Sequence, residues 1–124
     1  MLLLNAEEVR KSLPMKEAIE AMKSAYAALS SGNAVVPLRT RLPIPESEAL
    51  SLFMPAYVHS ADGQALAIKV VSLFPDNPAR GLAYIQAAVL VFDPESGRVI
   101  ALLEGSSLTA IRTGAASGAA IDLL

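Results

Sequence analysis

The sequence predicts an α+β domain in which two N-terminal helices pack on a largely antiparallel sheet and a C-terminal helix follows. Apolar residues first repeat at helical spacing, and from Val35 onward they repeat with period two. Short turns join the consecutive extended segments, which favours antiparallel pairing. A length of 124 residues suits one domain with a core of its own.

The N-terminal part is predicted as a short strand followed by two helices. Leu2–Leu4 form the strand, and Asn5 caps the first helix, with Glu8 completing a capping box. Pro14 fits the first turn of a second helix, whose apolar positions follow helical spacing. Gly32 ends that helix.

The rest of the chain is predicted as strands and a final helix. The extended segments are 36–42, 50–54, 65–74, 84–92 and 99–103. Turns are expected at 60–63, which includes Asp62, and at 93–97. The helix covers 108–124 with Ser106 or Ser107 as its cap, and Gly114 and Gly118 in it predict a close contact with the sheet. Because this helix stops without a breaker, we expect the chain to end at a domain boundary.

Composition excludes several classes of protein. Hydrophobic residues make up 53% of the chain, which excludes a disordered chain, and a net charge of −2 gives no electrostatic footprint for nucleic acid. The absence of cysteine and the single His59 argue against a disulfide scaffold and the common metal sites, so no metal is expected. No apolar stretch has the length of a membrane span. We therefore expect a soluble, cytoplasmic domain without nucleic-acid or membrane partners.

Lys69 is the most unusual residue, because it lies inside the apolar run 65–74. A buried charge without a partner costs several kcal/mol, about 3 or more, so a lysine here needs an anion or a shifted pKa. One interpretation is a pocket that receives an anionic ligand. The other is an edge-strand lysine that reaches solvent, and the residues alone leave both open.

Two further cations could join Lys69. Arg41 lies in an extended segment, and Arg112 lies in the first turns of the final helix, whose N-terminal N–H groups attract anions. Convergence of the three would make a carboxylate clamp. On spacing alone, three unrelated surface cations are the more common outcome. The carboxylates lie mostly at turns, His59 beside a turn is expected to be solvated, and no pair is spaced for acid–base work.

Four blocks of sequence closely resemble one family. They are 69–78 (KVVSLFPDNP), 81–82 (GL), 90–97 (LVFDPESG) and 108–117 (LTAIRTGAAS). They are similar to the ornithine cyclodeaminase/mu-crystallin family, whose members are NAD(P)-dependent enzymes acting on amino or imino acids. The resemblance extends from the N-terminus to about Gly118. The resemblance implies that residues 1–124 are the substrate-binding and dimerisation domain, and that the Rossmann domain is absent.

The resemblance also implies roles for particular residues. Arg41, Lys69 and Arg112 correspond to cations that bind the substrate carboxylate, and Lys69 lies near the reacting carbon, where it assists proton transfer. Arg112 and Thr113 lie where the family brings its cofactor phosphates. Leu52 replaces a glutamate that binds the substrate amine in ornithine cyclodeaminases, which favours a small or apolar amino or imino acid. Tyr84 replaces a threonine near the cofactor.

The sequence therefore predicts part of an NAD(P)-dependent amino or imino acid oxidoreductase or cyclodeaminase, inactive alone and binding no cofactor tightly. The expected partners are a small amino or imino acid and a second copy of the chain, as a homodimer or higher oligomer. The alternative is a stand-alone, non-catalytic module that dimerises or binds small carboxylates, including an excised or engineered domain. Carboxylate and nucleotide titrations separate the two.

Overall fold

A mixed seven-stranded sheet with three α-helices makes up the computed structural model, which describes residues 1–61 and 63–124. The strands are β1 Leu2–Leu4, β2 Ala34–Val35, β3 Thr40–Ile44, β4 Ala49–Ser60, β5 Gly63–Leu73, β6 Ile85–Phe92 and β7 Val99–Glu104. The helices are α1 Ala6–Ser12, α2 Met15–Ser30 and α3 Gly105–Leu123. The predicted α+β class is confirmed.

The strand order is β1-β7-β6-β5-β4-β2, and β3 pairs with the same edge of β4 as β2 does. Only the β1–β7 pair is parallel among the described strands, so the sheet is largely antiparallel, as predicted. Only residues 40–42 of the extended segment predicted at 36–42 lie in a strand, because residues 36–39 connect β2 to β3. No doubly wound parallel sheet occurs among the described residues.

The capping box of α1 is confirmed. The Asn5 side-chain oxygen accepts from the Glu8 N–H at 2.9 Å, and the Asn5 N–H donates to the Glu8 carboxylate at 2.8 Å. The second helix, α2, begins at Met15, directly after Pro14, whose missing N–H removes one unsatisfied donor. Both signals are local in sequence, which is why they can be read without the rest of the fold.

The start of α3 differs from the prediction. The helix begins at Gly105, and Glu104 is its cap, because the Glu104 carboxylate accepts from the N–H groups of Ser106 at 2.7 Å and Ser107 at 2.8 Å. The predicted serine cap is therefore wrong. A Cβ at Gly105 would lie 2.6 Å from the carbonyl carbon of Ala87, so glycine lets the helix begin directly against β6.

The two glycines inside α3 face a helix rather than the sheet. A Cβ at Gly118 would lie 2.7 Å from the side chain of Ile19, and one at Gly114 would lie 3.3 Å from that of Met15. The predicted helix–sheet contact is therefore wrong, since α2 takes that position. None of the three helices, within residues 1–61 and 63–124, is long and apolar enough to cross a membrane. The predicted turn residue Asp62 lies outside the described residues.

The register divides the sheet into two faces. Met54, Lys69 and Val89 lie side by side on β4, β5 and β6, and with Leu52 and Val71 they define the cation face. The neighbouring positions point the other way and define the opposite face, which includes Phe53, Tyr57, Ile68, Val70 and Leu90. Residues of α3 line cavities together with the cation face, so this helix lies over it.

Candidate carboxylate-binding site

Lys69 occupies the middle of the cation face. It lies between Met54 on β4 and Val89 on β6, so its side chain leaves the sheet among apolar neighbours. Lys69 is half-buried, and Val89 is buried. Since strands flank β5 on both sides, the interpretation of an edge-strand lysine is wrong. The interpretation that remains is a lysine facing a pocket.

A cavity of about 720 Å³ opens between the cation face and α3. Three cations line it: Arg39, Lys69 and Arg112. The described lining contains no aspartate or glutamate, and its other side chains are mostly apolar. A smaller cavity of about 280 Å³ also contacts Lys69 and Arg112. Three positively charged side chains therefore line one largely apolar cavity, and the described lining residues include no negative charge.

The electrostatics of Lys69 favour an anion. No hydrogen bond or ion pair to its ammonium occurs within the part of the chain that the structure describes. Burial lowers the pKa of Lys69, and the charges of Arg112 and Arg39 lower the pKa further. An anion between these groups would reverse the last two effects and favour the charged ammonium. A lysine with a lowered pKa that lines a cavity marks a candidate functional site.

Of the three predicted clamp residues, the structure brings Lys69 and Arg112 to one cavity. Arg41 pairs with Leu52 in the sheet, so it starts from the same face, but it is exposed and is not among the cavity's lining residues. Its role in carboxylate binding stays a prediction. Arg39, two residues earlier, lines the cavity and is close enough to lower the pKa of Lys69.

Sequence reasoning missed Arg39, although a signal was present. Positions two apart on an extended segment share a face, so any argument for Arg41 applied equally to Arg39. Only the register of β3 against β4 distinguishes them. Arg41 lies beside Leu52, whereas Arg39 precedes β3, at the end nearer the Met54–Lys69 row.

The N-terminus of α3 does not supply the anion site that the sequence predicts. Its first N–H groups already bind the Glu104 carboxylate, and this bonding helps to lower the pKa of Glu104 against the effect of its desolvation. Arg112 lies seven residues beyond Gly105, about 10 Å along the helix at 1.5 Å per residue. Arg112 therefore acts through its own guanidinium.

Thr113 is exposed and is not among the residues that line the two cavities. Its hydroxyl donates to the Thr109 carbonyl at 2.9 Å, a bond it would have to release before donating to a phosphate. Arg112 is exposed as well as lining the cavity, so its guanidinium can reach an anion from outside the sheet. Of the two residues, Arg112 is therefore better placed to contact an anion.

The whole chain, residues 1–124, matches the model of the ornithine cyclodeaminase/mu-crystallin family. The chain belongs to this family. A Delta(1)-pyrroline-2-carboxylate reductase of Bacillus cereus is 39% identical over 120 residues, which are 97% of this chain and 36% of that relative. The chain therefore spans little more than a third of the relative's length.

Solved structures agree with the fold. The Delta(1)-pyrroline-2-carboxylate reductase of Thermococcus litoralis, in complex with NADH and L-proline, is 46% identical with a TM-score of 0.86, covering 95% of this chain and 36% of that one. An archaeal alanine dehydrogenase dimer with bound NAD is 31% identical with a TM-score of 0.85, covering 95% and 35%. The family comprises NAD(P)-dependent imino and amino acid reductases and cyclodeaminases.

Proposed function

We propose that residues 1–124 form the substrate-binding and dimerisation part of an NAD(P)-dependent enzyme that interconverts a small amino acid and its imino acid. One observation carries the proposal: Lys69, Arg112 and Arg39 line a single apolar cavity whose described lining holds no carboxylate. Such a site favours a ligand with a net negative charge, and a substrate carboxylate supplies it.

The cations bind the substrate carboxylate in this proposal. Arg112 offers a planar fork that can hold two oxygens, and Lys69 adds a compact charge. The third cation comes from the segment 39–41. Arg41 is the residue that the sequence predicts, and Arg39 is the one that the cavity lining favours. Both start from the cation face, so paired variants are needed to distinguish them.

Lys69 also assists proton transfer at the reacting carbon or its nitrogen. Its lowered pKa makes the ammonium a better proton donor than an ordinary lysine. When bound, the nicotinamide cofactor supplies hydride to the imine carbon, and a proton must then reach the nitrogen. Arg112, and Thr113 after its hydroxyl releases Thr109, would contact the cofactor phosphates.

A cyclic or otherwise apolar imino acid fits the remaining wall of the cavity. Leu52, Val71, Leu73 and Ile85 line it, and none of them can pair with a second amine on the substrate. Two of the relatives described above are Delta(1)-pyrroline-2-carboxylate reductases. We therefore propose Δ1-pyrroline-2-carboxylate or a similar small imino acid as substrate, in preference to ornithine.

The opposite face of the sheet serves self-association in this proposal. Phe53, Tyr57, Ile68, Val70 and Leu90 point to that face and are only half-buried. An apolar face that keeps contact with water marks an interaction surface. The alanine dehydrogenase described above is a dimer, and we propose a homodimer through this face.

The experiment titrates the purified chain separately with pyrrole-2-carboxylate, a planar ring carboxylate, and with NADH, followed by an NADH-oxidation assay. We expect saturable carboxylate binding and no NADH-dependent turnover by the isolated chain. Turnover with alanine, ornithine or a cyclic imine would overturn the expected inactivity. Micromolar NADH binding would favour an enzyme whose other half is supplied by another chain, and dimerisation without any ligand binding would favour a non-catalytic module.

A further inference from the structure

We infer that Asn77 is a positioning residue that fixes the cavity wall formed by Ala83, Tyr84 and Ile85, and so determines how well the site holds the part of the ligand beyond its carboxylate. This inference rests on the proposed carboxylate site. All three wall residues line the same cavity as Lys69. Asn77 itself does not line the cavity and acts through the loop to which it belongs.

The Asn77 side chain is buried, with 7% of the residue exposed, although it lies in the connection between β5 and β6. Buried amides need hydrogen-bond partners, and Asn77 donates from its side-chain nitrogen to the Ala83 carbonyl at 2.9 Å. The same carbonyl accepts from the Gln86 side chain at 3.1 Å. The first residue of the wall is therefore bonded directly to Asn77.

The Asn77 backbone holds the same loop from within. Its N–H donates to the Phe74 carbonyl at 3.1 Å, and its carbonyl accepts from the N–H groups of Arg80 at 2.9 Å and Leu82 at 3.0 Å. The loop is closed at its base by the Phe74 N–H, which donates to the Tyr84 carbonyl at 3.0 Å. Asn77 is thus the centre of the loop's hydrogen bonds.

Apolar packing does little to hold this wall. Leu82 is 54% exposed, Tyr84 is 44% exposed and Ile85 is 47% exposed, so their burial cannot fix the loop. Val71 and Leu73 differ, because they belong to a strand paired on both sides. Ile85, the first residue of β6, pairs with Leu73 alone, and Ala83 and Tyr84 lie outside any strand. Hydrogen bonds are directional, so the position of the Ala83–Ile85 wall depends on them more than on packing.

The ligand then meets two mechanically separate parts of the site. Its carboxylate contacts cations on β5 and α3, which do not depend on the loop. Its hydrocarbon part contacts the wall that Asn77 holds. Loss of the Asn77 side chain should therefore weaken the binding of a ring carboxylate and leave the binding of the smallest carboxylate, acetate, unchanged. A general loss of stability would weaken both to the same degree.

The test compares acetate with pyrrole-2-carboxylate on the wild-type chain and on Asn77→Ala, by NMR titration. We expect the dissociation constant for pyrrole-2-carboxylate to rise about tenfold, as expected for the loss of a buried hydrogen bond. The dissociation constant for acetate should stay within about twofold. The matched control is Asn33→Ala, because Asn33 is exposed and its side chain donates to Ser31 at 3.2 Å, in a turn remote from the cavity lining.

A second variant covers the case in which Asn77→Ala fails to fold. Asn77→Leu nearly keeps the volume of the side chain and removes its donor to the Ala83 carbonyl, and it should give the same ring-selective loss. In the wild-type chain, pyrrole-2-carboxylate should shift the amide signals of Leu82 to Ile85 more than acetate does. These amide shifts test whether the wall contacts the ring.

The outcomes separate this inference from the proposed function. A wild-type chain that binds neither carboxylate refutes the proposed function and this inference with it. Wild-type binding of both carboxylates, with equal loss of both in Asn77→Ala or no loss of either, refutes only the role of Asn77. Ring-selective loss in Asn77→Ala or, where that variant does not fold, in Asn77→Leu, supports the inference.

Discussion

The two faces of β5 differ in charge and in what they contact. Lys69 points to the cavity under α3, and Ile68 and Val70, one residue away on each side, point to the apolar opposite face. Side chains alternate along a strand, so one strand can serve two surfaces. In the proposed function, ligand binding and self-association therefore use residues that are neighbours in sequence.

The two faces also differ in what their residues contribute to stability. Lys69 is half-buried beside other cations and has no ion pair among the described residues, so its charge opposes folding. Ile68 and Val70 favour folding, and they would favour association further when a second copy covers them. Stability given up at one face is typical of a functional site.

The largest expected effect comes from a charge on the opposite face. Ile68→Glu should convert the proposed dimer to a monomer in sedimentation experiments, because an unpaired charge buried in an interface costs about 2–5 kcal/mol. Carboxylate binding should persist, since Ile68 points away from the cavity. Leu42→Glu is a second test of the same face, and it is less liable to disrupt folding because Leu42 is 52% exposed.

The matched control for these two variants is Leu82→Glu, which adds the same charge in an exposed loop. It should leave the sedimentation behaviour of the wild-type chain unchanged. A wild-type chain that sediments as a monomer at high concentration, or a dimer that survives both Ile68→Glu and Leu42→Glu, would contradict the role assigned to the opposite face.

The next effect comes from the adjacent residue. Lys69→Met should weaken binding of pyrrole-2-carboxylate by about tenfold to a hundredfold, because it removes a charge-assisted contact. The same variant should leave association unchanged and raise the free energy of unfolding by about 1 kcal/mol. Calorimetry and chemical denaturation measure the two changes. Unchanged carboxylate affinity would remove Lys69 from the proposed site.

A smaller effect distinguishes Arg39, which precedes β3, from Arg41, which lies in β3. Arg39→Ala should weaken carboxylate binding about tenfold, and Arg41→Ala should change it by no more than about twofold. The reason is that, of these two arginines, Arg39 lines the cavity and Arg41 does not. Titrations of both variants under one salt concentration make the comparison. The reverse ranking would support the original sequence prediction for Arg41.

Much of the fold could be predicted because its signals are local. The Asn5–Glu8 capping box, the α2 start after Pro14 and the period-two strands depend on neighbouring residues. The cap of α3 could not be predicted in this way, since two serines precede the predicted helix and Glu104 belongs to β7. The partner of Gly118 depends on where α2 lies, which no local pattern specifies.

The sequence could predict that the site contains an unusual lysine, but not all of the residues around it. Lys69 stands out because a lysine inside an apolar strand is chemically costly wherever the strand lies. The choice between Arg39 and Arg41 depends on pairing between strands, and the contribution of Asn77 depends on how one loop closes on itself. Both features depend on contacts between residues that are not neighbours in sequence, so local sequence patterns do not predict them.

The lowered pKa of Lys69 should make both stability and carboxylate affinity depend on pH. Its value in the folded chain lies below the ordinary lysine value of 10.5, so between these two values the unfolded chain binds more protons. The free energy of unfolding should therefore gain a contribution from Lys69 as the pH rises through that window. Carboxylate affinity should fall over the same window, because the ammonium loses its charge.

An NMR titration of the Lys69 side chain, with and without saturating pyrrole-2-carboxylate, tests directly whether an anion binds at this lysine. We expect a pKa below 10.5 in the free chain and a higher pKa in the complex, because the bound carboxylate offsets the charges of Arg39 and Arg112. A Lys69 pKa that is the same in both states would contradict an anion bound at this lysine.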